Sequence, residues 1–108
     1  MTPPLDRGMV VRVRLRTTRP AVVVSNRAAC RFDAVIQVVP ATGLPDRDLR
    51  PYESRVESPG SGLAKPSRLV ANQIRTVSKQ RVEAVLGRLD RAEERLLDRA
   101  LRIQLALG

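Results

Sequence analysis

The chain has 108 residues, with 20 Lys and Arg against 11 Asp and Glu, a formal charge of +9, one cysteine and no histidine. These counts suit one small domain, 1–108, with a thin core, and exclude a disulfide framework, a cysteine-based zinc site and any histidine-based catalysis. No apolar run reaches the ~20 residues of a membrane span, and Met1–Arg7 lacks the apolar segment of a secretory leader, so a cytoplasmic protein with no membrane contact is expected.

Taken in chain order, Val10–Leu15 alternates with period two. It predicts a strand with Val11, Val13 and Leu15 inward and Arg12 and Arg14 outward. Arg19-Pro20 opens a second strand, Ala21–Ser25, and Asn26–Asp33 reads as a loop. Ala34–Val39 is a third strand, apolar apart from Gln37 and closed by Pro40. Residues 40–66 hold five of the eight prolines and three of the six glycines. That stretch therefore reads as loop, with one short strand at Tyr52–Glu57 and a turn at Ser58–Gly62. Arg68–Ala71 and Ile74–Val77 are two more strand pieces. Ser78 would cap a helix over Lys79–Leu86, closed by Gly87. Asp90 followed by Glu93 resembles a capping box, and Leu97, Leu101 and Leu105 then carry an amphipathic helix to Leu107. Strands first and helices last predict a mainly β domain, a small sheet or barrel closed by a C-terminal helix. The apolar strand 34–39 and the Leu97, Leu101, Leu105 face exceed what one small barrel needs and predict a two-fold symmetric homodimer.

Of the 20 cations, 18 are arginine. Such an excess fits a polyanion partner, although arginine beside many Ala, Val and Leu also follows from a GC-rich genome. Only Phe32 and Tyr52 are aromatic, few for a base-stacking platform. Arg19, at a strand start, reads either as a solvated rim residue or as a guanidinium fork for a phosphate. Thr42 reads as a turn cap or as a hydroxyl donor to a phosphate oxygen. Asn72-Gln73-Ile74-Arg75-Thr76 either pairs with backbone or lines a groove that reads base edges. Arg88, Arg91, Arg95, Arg99 and Arg102 recur three and four apart, as on a solvated helix flank partly neutralised by Glu94 and Asp98.

Together these segments resemble the MazF/PemK (Kid) family of toxin endoribonucleases, nearly end to end. Gly8-Met9-Val10-Val11-Arg12-Val13 is similar to the family's opening strand. Arg19-Pro20-Ala21-Val22-Val23-Val24-Ser25-Asn26 is similar to its Arg-Pro-x-Val-Val-Val-Ser strand, and Val38-Val39-Pro40-Ala41-Thr42 to the strand ending in Pro-x-Thr. Gly62-Leu63, Ser67 and Gln73-Ile74-Arg75-Thr76-Val77 resemble its Gly-Leu, Ser and Gln-Ile-Arg-Thr elements, and Lys79-Gln80-Arg81-Val82, Gly87-x-Leu89 and the closing Leu-Ala-Leu helix its C-terminal part. The resemblance implies a small SH3-like, CcdB/Kid/MazF-like β-barrel acting as a homodimer. It implies sequence-specific cleavage of single-stranded RNA, mRNA above all, without metal or cofactor. The ribose 2′-hydroxyl would attack the adjacent phosphorus, leaving a 2′,3′-cyclic phosphate and a 5′-hydroxyl. On this resemblance Arg19 and Thr42 are the catalytic candidates: Arg19 as phosphate clamp and candidate acid, since a guanidinium is too basic to be a general base, and Thr42 as hydrogen-bond donor to the phosphate. Arg12, Arg14, Thr18, Ser25, Asn26, Asn72, Gln73 and Arg75 are the RNA-binding candidates. The implied partner is a cognate MazE-like antitoxin whose acidic, partly disordered tail folds onto the basic groove.

Two departures stand out. The family usually joins its first two strands by a longer loop carrying Gly-Ser-Glu, whereas only Arg16-Thr17-Thr18 lies between Leu15 and Arg19. Those three residues lack the glycine that three-residue hairpins favour, and read as the end of a longer loop with a chain break between Leu15 and Arg16. Asn72 stands where the family commonly has Asp or Glu. Two other readings remain: a toxin of the same fold that acts on DNA gyrase, although this chain lacks a C-terminal Trp-Gly-Ile-like tripeptide, and a non-catalytic nucleic-acid-binding barrel.

Overall fold

A computed structural model describes residues 4–108. Strands β1 (Met9–Arg14) and β2 (Thr18–Val23) form an antiparallel hairpin, followed by a short helix α1 (Arg27–Phe32) and the long strand β3 (Val35–Gly43). Then come β4 (Glu53–Val56), β5 (Ser67–Val70), β6 (Arg75–Ser78), β7 (Val82–Arg88) and the terminal helix α2 (Arg91–Leu105). The sheet order is β4-β5-β3-β2-β1-β7, with β6 also on β3. Among the described residues no pairing joins the two ends. The domain is thus mainly β with a C-terminal helix, as expected, but its sheet is bent and open rather than a closed barrel.

Two apolar clusters hold the sheet from opposite sides. Leu97, Ala100 and Leu101 of α2 pack on Val10, Val22, Val39, Val56 and Leu69. The other face gathers Val11, Val13, Ala21, Val23, Ile36, Val38, Val77 and Val82, capped by Cys30 of α1. Central strands covered on both faces require consecutive apolar residues rather than alternation. Val10 is therefore buried beside Val11 and Val13, while Leu15, expected inward, is half-buried in the turn.

Strand β3 is the hinge of the architecture. Its first half pairs β6 (Val38↔Arg75) and its second half pairs β5 (Ala41↔Leu69) along the same edge. Two residues of β3 lie between those pairs against five of the partner segment. The excess forms a 3₁₀ turn, Ala71–Gln73. Pro40, expected to end the strand, lies inside it, opposite Ala21 of β2 and beside that interruption. No ladder bond to β5 or β6 is needed there, so a missing N–H is tolerated.

Three other expectations change. Asn26–Asp33 is not a loop: Asn26 Oδ1 accepts from Ala29 N at 2.9 Å and caps α1. One short turn offers too little periodicity to announce itself. The helix expected over Lys79–Leu86 is a single 3₁₀ turn, Lys79–Arg81, followed by β7 on the free edge of β1. Gly87 is not its cap. A Cβ there would collide with the backbone of Gly60 and Ser61, so Gly87 is the contact point of the Ser58–Gly62 turn. The Leu15–Arg16 break is absent. Arg14 faces Thr18, and Leu15 N donates to Thr17 O at 3.0 Å across a three-residue turn. No residue of that turn has a positive φ, so it needs no glycine.

The capping box of α2 is present. Glu93 N donates to Asp90 Oδ1 at 2.7 Å and Asp90 N to Glu93 Oε1 at 3.1 Å. Ile36, Val38, Leu97 and Leu101, expected to drive self-association, are consumed inside the monomer. The apolar side chains left exposed are others, chiefly Phe32, Leu96, Ile103 and Leu107, with Val35 and Leu105 the exposed remainder of the expected surfaces.

Candidate nucleic-acid interface

Arg19 and Thr42 lie where β2 and β3 stop pairing. The last recorded pair there is Ala21↔Pro40. The same register carried two residues further sets Arg19 opposite Thr42, and two residues along a strand return to the same face. Both are half-buried. Among the described residues Arg19 has no carboxylate within ion-pair distance and no side-chain hydrogen bond. Its face is that of its partner Val13, the inner cluster, so the guanidinium projects from the rim of an apolar wall.

The row continues past Thr42. Thr42 faces Arg68 of β5, and Arg68 faces Arg55 of β4. Arg19, Thr42, Arg68 and Arg55 thus stand side by side across four strands. Beside them lies a buried carboxylate. Glu53, on the face of Arg55, accepts from Arg47 Nη1 at 2.8 Å, Arg47 Nη2 at 3.1 Å, Arg50 N at 2.7 Å and Arg68 Nη1. The Arg47 hydrogen bonds, the Arg50 N–H and the charges of Arg68 and Arg47 outweigh burial and pull its pKa down to about 2. Arg47, Glu53 and Arg68 were missed from sequence. Nothing in a proline-rich loop and two short strands announces an ion cluster; the one available signal was Glu53 two residues from Arg55, on the same face of the short strand candidate Tyr52–Glu57.

The other candidates divide by face. Arg12, Arg14 and Thr18 lie on the side of the β1–β2 hairpin opposite to Arg19. There Thr18 Oγ1 donates to Glu83 Oε1 at 3.4 Å and Arg12 Nε is 3.7 Å from the same oxygen. Ser25 is buried: its hydroxyl donates to Gln37 Oε1 and accepts from Gln37 N. Asn26 is spent on its helix cap. Asn72 and Gln73 are exposed on the 3₁₀ turn between β5 and β6, so they lie between Arg68 and Arg75 along the edge that flanks β3. Arg75, exposed, lines an open cleft of about 360 Å³ with Leu15, Arg16, Thr76, Val77, Ser78 and Arg81. Three guanidinium-bearing residues and no carboxylate line it, which suits a polyanion. Arg88 of the expected arginine stripe is in β7, near Asp6 and Glu94; Arg91, Arg95, Arg99 and Arg102 are exposed on α2. No described helix is long and apolar enough to cross a membrane.

Comparison with known proteins bears on this surface. Residues 6–105 match the family described as PemK-like, MazF-like toxin of type II toxin-antitoxin system. The chain is 36% identical over 94 residues to endoribonuclease MazF9 of Mycobacterium tuberculosis, covering 82% of this chain and 79% of that protein. It is 30% identical over 89 residues to endoribonuclease EndoA of Bacillus subtilis, covering 82% and 77%. Its fold superimposes on a mycobacterial endoribonuclease in complex with its cognate antitoxin, with a TM-score of 0.85, 27% identity and coverage of 96% and 97%. A MazE–MazF structure from Deinococcus radiodurans shares the fold with a TM-score of 0.78 at 20% identity, over 96% and 97%.

Proposed function

The chain belongs to the PemK-like, MazF-like toxin family of type II toxin–antitoxin systems, and on that premise we propose that it is an endoribonuclease that cleaves single-stranded RNA at the Arg19–Thr42 rim. The observation that carries the reading is the β2–β3 register: extended two residues past its last pair, Ala21↔Pro40, it brings an arginine with no acidic partner among the described residues opposite the half-buried Thr42. The endoribonuclease relatives support the reaction class.

The reaction needs a 2′-oxygen–phosphorus bond to form and the phosphorus–5′-oxygen bond to break. The 2′-hydroxyl proton leaves to solvent and the departing 5′-oxygen takes one up. Negative charge grows on the non-bridging oxygens as phosphorus becomes five-coordinate. Arg19 offers a fixed guanidinium to that charge and Thr42 a neutral donor, both preorganised at strand ends; such donors are usually the largest catalytic contribution. Arg19 clamps the phosphate and, as the acid, hands a proton to the departing 5′-oxygen and takes one back from solvent after the cut. The products are a 2′,3′-cyclic phosphate and a 5′-hydroxyl, and no metal ion takes part. Arg75 and Arg16 guide neighbouring phosphates, and Asn72 and Gln73 read bases, giving a sequence preference. The protein acts in the cytoplasm as a homodimer. A cognate antitoxin with an acidic tail silences it by lying on the same cationic face, in keeping with the antitoxin complex of its mycobacterial neighbour.

The test is cleavage of a long single-stranded RNA in EDTA by purified wild type, Arg19→Ala and Thr42→Ala. Cleavage by the wild type alone is expected. Equal cleavage by either variant removes that residue from the mechanism, and an inert wild type overturns the reading.

A further inference from the structure

The mechanism above leaves one buried charged cluster unused. Glu53 has its side chain 1% exposed, and Arg68, with 21% of its side chain exposed, gives Nη1 to it. That contact uses one end of the guanidinium. Among the described residues neither Nε nor Nη2 of Arg68 has a hydrogen bond, and Nε is a buried donor with no partner. Buried donors are rarely left unpaired in a folded protein. With Nη1 on Glu53 and Nε buried, Nη2 is the end of the guanidinium left for an anion such as a phosphate oxygen. Arg68 is also the direct cross-strand neighbour of Thr42, about 5 Å away at the backbone.

We propose that Arg68 is a second phosphate-binding residue of the Arg19–Thr42 site, and that Glu53 is the residue that positions it. The assignment rests on the reading of this face as an RNA-cleaving site. Glu53 is held from three sides, by Arg47, Arg50 N and Arg68, so its carboxylate is a fixed post rather than a flexible partner. It aligns Arg68 along β5, leaving Nη2, the end not spent on Glu53, for a phosphate oxygen. Arg19 and Arg68 stand on either side of Thr42, roughly two strand spacings or ~10 Å apart. They therefore contact different phosphates of one strand, Arg19 the scissile one and Arg68 its neighbour.

The probe is a fluorescein-labelled, 2′-O-methylated single-stranded oligonucleotide of mixed sequence, which binds without being cut. Its affinity is measured by anisotropy over a series of KCl concentrations, with circular dichroism confirming the fold of each variant. Arg68→Gln should weaken binding roughly tenfold, the size of one lost charged hydrogen bond, and flatten the log–log salt dependence by about 0.7. Glu53→Gln should weaken binding similarly in the wild-type background and add nothing once Arg68 is Gln, because it acts through Arg68. Where Glu53→Gln does not fold, Glu53→Asp, which keeps the charge but withdraws it, takes its place in the cycle. Wild-type affinity and salt slope in Arg68→Gln would overturn the assignment of Arg68. Additive losses in the double variant would overturn the role of Glu53. A wild type that neither binds this probe nor cuts unmodified RNA overturns both this proposal and the functional reading. A wild type that cuts RNA while Arg68→Gln binds normally overturns this proposal alone.

Discussion

Glu53 and Glu93 are both buried to 7% exposure, and each accepts four hydrogen bonds, but they are neutralised in opposite ways. Glu93 takes Ser58 Oγ at 2.5 Å and the N–H groups of Glu57, Ser58 and Asp90 at 2.9–3.1 Å. Burial pushes its pKa up; the hydroxyl and the three backbone amides overcome that and leave it below the ordinary carboxyl range. Its partners are dipoles, so it ties α2 to the strand-β4 turn and puts no cation on the surface. Glu53 is neutralised by two guanidiniums and one amide. Its partners carry charge, so the same kind of burial gathers cations on the face beside Thr42. A buried carboxylate thus does structural or functional work according to whether its hydrogen-bond donors are amides or arginines.

The comparison breaks most directly at the row next to Glu53. Arg19→Ala and Thr42→Ala should each lower single-turnover RNA cleavage by at least about 10²-fold, as loss of one preorganised donor does. Their melting temperatures should stay near wild type, because among the described residues neither side chain has a hydrogen-bond or ion-pair partner to lose. A large drop in melting temperature would place them on the structural side.

Glu93→Ala should do the reverse. Stranding a hydroxyl and three N–H groups should cost on the order of 3 kcal/mol, or roughly 10–20 °C in a domain of this size. Cleavage per folded molecule should remain normal. Thermal denaturation and cleavage of the same preparation decide it, and lost activity without lost stability would contradict the division.

How the sequence carries each region follows from the same contrast. The Glu93 junction was legible in part, because Asp90 and Glu93 sit at capping-box spacing in one local segment. Arg19 and Thr42 were legible as members of family motifs, and the β2–β3 register then brought them together. The cluster around Glu53 was invisible, since Arg47, Glu53 and Arg68 come from a loop and two strands that meet only through tertiary pairing. Strand β7 was misread as a helix because Val82, Val85 and Leu86 have helical spacing. Only the open edge of β1 makes them a strand. The same edge effect hides the length of β3: a proline normally ends a strand, and nothing local shows that the ladder pauses at Pro40.

Acid sharpens the comparison further. Glu53 has its pKa lowered from about 4.5 in the unfolded chain to about 2, so its contribution is fully present above pH 4.5 and is lost as pH falls toward 2. The shift corresponds to at most about 3 kcal/mol. Urea midpoints measured between pH 5 and pH 2, an interval of roughly this width, should fall with decreasing pH. Glu53→Gln should remove part of that slope. An identical slope in the variant would show that the arginines do not hold this carboxyl ionised.

Salt gives the smallest effect. RNA affinity should fall with a log–log slope near −0.7 for each phosphate held, while stability moves little because Glu93 depends on short, buried dipolar bonds. Binding that ignores salt would assign the arginine excess to codon usage.

The most direct test is the chemistry of the cut ends. Wild-type protein incubated with a single-stranded RNA in EDTA should yield fragments with a 2′,3′-cyclic phosphate and a 5′-hydroxyl, and Arg19→Ala should yield almost none. Fragments with 5′-phosphate ends, or equal cutting by the variant, would contradict a 2′-hydroxyl attack clamped at Arg19 and Thr42.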